Sequence, residues 1–153
     1  MVRTFYFVAL MLTAIAMGLA LAHLFELPNK IDISAADYLV VQRNYDNWSL
    51  IGLVVPLAFL SVLALTLALR GTGAPFALAL IALLLLTAEL LAFWGFIFPV
   101  NQATENWTKL PDHWKDLRAQ WEYAHAIRAF LYVLALGMLL MSVLDWRCRE
   151  VRP

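Results

Sequence analysis

Four apolar runs, 5–25, 48–69, 75–98 and 123–145, each reach the roughly 20 residues that an α-helix needs to cross the hydrocarbon core of a bilayer. In a chain of 153 residues they leave little over for anything else, so one transmembrane domain over 1–153 is expected. The runs are continuous in Leu, Ala and Val, whereas a membrane barrel needs short segments that alternate apolar and polar residues. With 63% of residues hydrophobic and 14% charged, the chain falls outside the soluble range. The expected fold class is all-α: an integral membrane four-helix bundle embedded in the lipid bilayer.

Orientation follows from Lys and Arg in the short segments, since the net charge is zero. Arg3, the turn at Arg70, and a tail with Arg147, Arg149 and Arg152 lie on one side, opposed only by Asp145 and Glu150. The longer loops on the other side carry Lys30, Arg43, Lys109, Lys115, Arg118 and Arg128 together with eight acids. Both termini are therefore expected in the cytoplasm, in a multi-pass protein of the cell membrane, as in the inner membrane of a bacterium. The first run is longer than the core of a usual signal peptide and is read as a retained span.

Several function classes drop out. Cys148 is the one cysteine, so no intrachain disulfide and no vicinal dithiol chemistry is open to the chain. No basic surface suits nucleic acid, and no repeat or phosphate-binding Gly loop is present. Asn47-Trp48-Ser49 and Asn106-Trp107-Thr108 match the glycosylation pattern but are short enough to arise by chance.

Local signals set the expected joints. Ala14, Gly18 and Ala22, four residues apart, would let another helix approach closely. Pro28 marks an exit from the first helix. Ser34 can cap a short amphipathic helix to Tyr45, whose Tyr38 and Tyr45 suit the membrane interface. Pro56 predicts a kink in the second span, and the Arg70 to Pro75 connection predicts antiparallel second and third spans. Pro99 and Asn101 are expected to end the third span, and Asp112 to cap a long fourth helix.

That fourth helix carries the polar residues. At about 100° per residue, Arg118, Trp121, Glu122, His125, Arg128 and Tyr132 fall on one face, so a charged stripe enters an apolar helix. An ionisable group at membrane depth costs on the order of 3 kcal/mol and normally faces a bundle interior or a cavity with a partner. His23 and Glu26 form a second pair, spaced i, i+3 like Glu122 and His125. Glu89 lies deeper, about 13 Å from the outer end of its span by helix rise. Three uses of this group stand side by side. Glu-x-x-His pairs hold metals in di-iron bundles, which makes a metal at His23, Glu26, Glu122 and His125 one option. A metal-free pocket is the second, with His125 and Arg128 on an oxygen-bearing ligand and Glu122 or Glu26 accepting a proton. An interhelical network without a ligand is the third.

These residues also carry a resemblance. Ala22-His23-Leu24-Phe25-Glu26-Leu27-Pro28, then Pro99-Val100-Asn101, then Leu117-Arg118, Trp121-Glu122, His125 and Arg128, resemble a family of small four-span membrane proteins grouped with the fungal anthrone oxygenases. The likeness runs along essentially the whole chain. It implies a four-span bundle and, for activity, oxidation of an aromatic or quinone-like substrate by dioxygen without flavin, haem or a required metal. It implies His125 in proton removal, Arg128 and Asn101 at a developing oxyanion, and Trp121 stacked on the rings, with Arg118 among the ligand-facing residues. The opposing expectation is a membrane protein that binds a ligand or partner without chemistry.

Overall fold

The computed structural model describes residues 1–150, with the side chains of Ser49, Arg149 and Glu150 outside the description. The expected roles of Arg149, Glu150 and Arg152 in the charged tail therefore fall outside it. Among the described residues the fold is helical without strands: α1 (Val2–Lys30), α2 (Ala35–Gln42), α3 (Trp48–Ile51), α4 (Val54–Ala68), α5 (Ala74–Ala92), α6 (Phe98–Ala103) and α7 (Trp114–Glu150). The stretches Val2–Lys30, Ala74–Ala103 and Trp114–Cys148 are long and apolar enough to cross a membrane. The 15-residue α4 is apolar but shorter, about 22 Å by helix rise.

The four long helices form a ring in which α1 packs on α4 and α7, and α5 packs on α4 and α7. Eight of the fifteen residues at its centre are alanines, among them Ala9, Ala16, Ala20 and Ala129. Small side chains let helix backbones approach closely where lipid supplies no hydrophobic drive between helices. Large apolar residues instead face outward, with Phe7, Leu60, Leu84, Phe130 and Leu144 all more than half exposed. Such an exterior is compatible with lipid contact. At the end where α1 begins, the Tyr6 hydroxyl meets Ser142 Oγ at 2.8 Å, and Ser142 donates to the Pro75 carbonyl at 2.7 Å. One chain of hydroxyls thus joins α1, α5 and α7.

The small residues that pack are not the ones the spacing suggested. Gly18 is exposed, and a Cβ there would meet nothing within 4 Å; the buried face of α1 runs instead through Tyr6, Ala9, Thr13, Ala16, Ala20 and His23. The Arg70 to Pro75 connection is tight as expected, and Gly71 (φ 83°) and Gly73 (φ 75°) take the left-handed conformations that Gly adopts without steric cost.

Three prolines shape these helices for one reason: a proline removes a backbone donor and crowds the carbonyl four residues earlier. Pro28 sits inside α1, which continues to Lys30, because the last turn can lose that bond cheaply. Pro56 crowds Gly52, and the second apolar run is not one helix but breaks at residues 52–53, where Leu53 and Val55 bond three residues back. Pro99 crowds Gly95, and the third helix does not end there. It widens into a π-turn over Phe93–Ile97 and continues as α6 to Ala103, with Gln120 donating to the Phe96 carbonyl at 2.8 Å. Nor does Asp112 cap the long helix, which starts at Trp114 with His113 carbonyl bonds to residues 116 and 117.

The loop before α7 contains a left-handed run, Glu105 (φ 48°), Asn106 (φ 55°) and Trp107 (φ 62°). Thr104 holds it, accepting from the Trp107 and Thr108 backbone amides, while the Trp107 ring is buried edge-on against Tyr38. Each such residue costs about 1 kcal/mol or more, and Glu105 is exposed. Glu105→Gly is therefore expected to stabilise by about 0.5 kcal/mol after the looser unfolded chain takes back its share. A denaturant midpoint that falls instead of rising would contradict this.

Candidate functional site

Buried polar groups concentrate where α1 ends and α7 begins its descent into the bundle. Along α7, Arg118, Trp121, Glu122, His125, Arg128 and Tyr132 are each at most 8% exposed. The stripe faces inward, as its helical spacing requires.

Its centre is a column of rings. His23 lies between Tyr45 (centroids 4.5 Å apart, 26° between planes) and His125 (3.9 Å, 22°). Trp121 packs against both imidazoles, at 5.1 Å from His23 and 4.2 Å from His125, and Trp48 meets His23 edge-on. The Trp121 indole is fixed by donation from Nε1 to Asn101 Oδ1 at 2.8 Å, leaving the Asn101 amide N–H groups as its remaining donors.

Two ion-pair systems stand behind the rings. Below them, Arg128 donates from Nε to Glu89 Oε1 at 2.6 Å and also from Nη2, while its Nη1 lies 3.5 Å from His125 Nδ1. The Glu89 side chain is 1% exposed, so the deepest carboxylate has its cation. Above them, Lys30 reaches Glu26 at 3.1 Å and Glu122 at 3.3 Å, and donates to the Tyr45 hydroxyl at 2.7 Å. Tyr45 in turn donates to Glu26, and Tyr38 donates to Glu122 at 2.9 Å. Burial first, and then the adjoining carboxylates, push both phenols well above their ordinary range, so they remain protonated donors.

The sequence-predicted residues His23, Glu26, Glu89, Asn101, Trp121, Glu122, His125 and Arg128 thus assemble into one region drawn from α1, α5, α6 and α7. Arg118 does not join them. It donates to the Ile33 carbonyl at 2.9 Å and lies over the Trp114 and Tyr38 rings, where it anchors the loop after α1. Tyr38 is fully buried rather than interfacial, because its hydroxyl has a carboxylate to reach and its ring has Trp107 and Trp114. Lys30 was counted as a loop charge, yet it is 2% exposed and ties both carboxylates. Its i, i+4 spacing to Glu26 was the signal that marks it; Tyr45, Gln42 and Trp107 carried no comparable one.

A cavity of about 870 Å³ opens beside the ring column. His23, Asn101, Trp121, His125 and Arg128 face it, while Glu26, Glu89 and Glu122 do not. Three residues on its wall hold buried nitrogens without a hydrogen-bond partner: His23 Nδ1, Trp107 Nε1 and His125 Nε2. Leaving such groups unpaired costs about 1–3 kcal/mol each; they are themselves sealed from the cavity space, so a ligand's polar atoms would reach them only through a small side-chain shift. The carboxylates are engaged with Lys30, Arg128 and tyrosines, and among the described residues no three His, Cys, Asp or Glu side chains converge as a metal-binding group. No protein-family model, curated protein or solved structure matches the chain.

Proposed function

We propose that the protein is a multi-pass membrane protein whose cavity binds an oxygen-bearing aromatic molecule and oxidises it with dioxygen, in the manner of the anthrone oxygenases it resembles. The observation that carries this reading is the presence of unpartnered His125 Nε2 and His23 Nδ1 on residues that wall an apolar cavity. In the proposed reaction His125 takes a proton from an acidic ring methylene. Dioxygen adds to the resulting carbanion, and loss of water from the hydroperoxide leaves a carbonyl, so that CH2 and O2 become C=O and H2O. Arg128 keeps Nη1 toward His125 while Glu89 holds the rest of its guanidinium, and Asn101 and Arg128 stabilise the developing oxyanion. Trp121 offers the aromatic face. With both termini in the cytoplasm, this site lies toward the non-cytoplasmic side.

The test is oxygen uptake by purified protein with an anthrone, comparing wild type with His125→Ala. We expect uptake with wild type and a loss of about 100-fold or more in the variant, the usual contribution of a general base. Equal uptake by the two proteins would remove the enzymatic reading.

A second reading is favoured by the pairing of the buried charges: Lys30 with Glu26 and Glu122, and Arg128 with Glu89. On it, the stripe is a structural network, and the cavity serves binding without chemistry. No uptake with any anthrone, together with a His125→Ala variant that only melts earlier, would support that reading.

A further inference from the structure

The cavity is polar at its outer end and, below it, apolar on the side of α1, α4 and α5. The unpartnered nitrogens of His23, Trp107 and His125 belong to residues at the outer end. From there the wall follows α1 from His23 to Ala16, a descent of about 10 Å. Leu19 on α1, Val55 on α4 and Leu90 on α5 give this lower part an apolar wall, opposite Arg128 and Tyr132 of α7. A compact ring at the histidines would leave that slot unfilled.

The slot also opens sideways. Leu53 and Trp94 both line the cavity and are themselves 61% and 58% exposed. They belong to the two irregular places in the bundle, the break before Pro56 and the wide turn before Pro99. Since the exterior of the bundle is apolar there, the opening faces the region that lipid tails would occupy.

Resting on the proposed ring-binding site, we propose that the substrate class is an amphiphile: an oxygen-bearing aromatic ring system with an acidic ring methylene, oxidised to a quinone-type carbonyl, and bearing an apolar tail. Its ring oxygens lie beside His23, Trp107 and His125, whose unpartnered nitrogens turn to meet them, and its tail runs down the slot and leaves between α4 and the wide turn. The ligand reaches the site from the bilayer through that side opening. Trp107 contributes to the head group site although it comes from the loop before α7. The energetic logic is that of a preformed apolar site with a few placed polar groups.

The test uses a decyl-tailed benzoquinone and the same benzoquinone head without a tail, read by quenching of tryptophan fluorescence of the protein in nanodiscs. Partition of the tail into lipid is the same for every variant, so the informative quantity is the tailed-to-tailless affinity ratio in wild type against Val55→Phe and Leu19→Phe. We expect the ratio to fall about ten-fold in each variant while the tailless head binds as before. An unchanged ratio in both would overturn the tail slot and leave the ring site standing. If neither quinone quenches wild type, the ring site fails and the slot with it. The two substitutions lie on different helices, so a variant that does not fold leaves the other to decide.

Discussion

Replacing Arg128 with Met should destabilise the bundle by about 3–5 kcal/mol, the usual cost of leaving one partner of a buried ion pair alone. Glu89 would be the stranded group. It is 1% exposed, Arg128 supplies two donors to its Oε1, and the apolar ring of Phe93 covers the guanidinium at 5.1 Å. The measurement is the unfolding midpoint in mixed micelles, with Glu89→Leu/Arg128→Met as the decisive partner. Removing both charges removes the desolvation penalty as well as the attraction, so the double variant should recover most of the loss. A double variant as unstable as the single would show that the pair matters for packing rather than for charge.

Lys30→Met should have an effect of similar size, about 3 kcal/mol, and should reach further. Lys30 is the cation for Glu122, whose side chain is fully buried, and it also donates to the Tyr45 hydroxyl. Tyr45 stacks on His23, and His23 on His125, so the substitution should loosen the ring column as well as the ion pair. Tryptophan emission reports this, because Trp48 and Trp121 pack against the column. The expected result is a lower midpoint together with a changed emission spectrum in the folded protein. A lower midpoint with an unaltered spectrum would confine Lys30 to charge balance.

The two substitutions also separate the layers of the site. Arg128 faces the cavity and touches His125, whereas Lys30 acts from behind through Tyr45 and Glu122. The carboxylates are therefore read as the groups that hold cations and phenols in place. The imidazoles, Asn101 and Trp121 are the groups that a ligand would meet.

Much of this site was legible because a helix repeats its faces. Six polar or aromatic residues of α7 share a side by rotation alone, and a stripe of that kind inside an apolar helix must be buried against something. His23 and Glu26 were legible for the same reason on α1. The contributions of Tyr38, Gln42, Tyr45 and Trp107 were not, since they come from the two connections whose composition suits a membrane surface. Only the folding back of α2 and of the left-handed loop at 105–107 carries Tyr38 and Trp107 inward. The packing stripe of α1 was misjudged because spacing identifies small residues without saying which of them meets a neighbour.

By itself the sequence determined an all-helical chain of apolar segments, and it pointed the charged stripe Arg118, Glu122, His125 and Arg128 of α7 inward, because a period of 3.6 residues places them on one face and exposing charge to hydrocarbon is costly. Partnership was decided by the tertiary structure alone: Glu89 with Arg128, Glu122 with Lys30 and Tyr38, His23 with His125. It also decided that Arg118 serves a loop and that the irregular turns beside Pro56 and Pro99 line a cavity. Such choices depend on which side chains meet across separate helices, and distance along the chain carries no record of that.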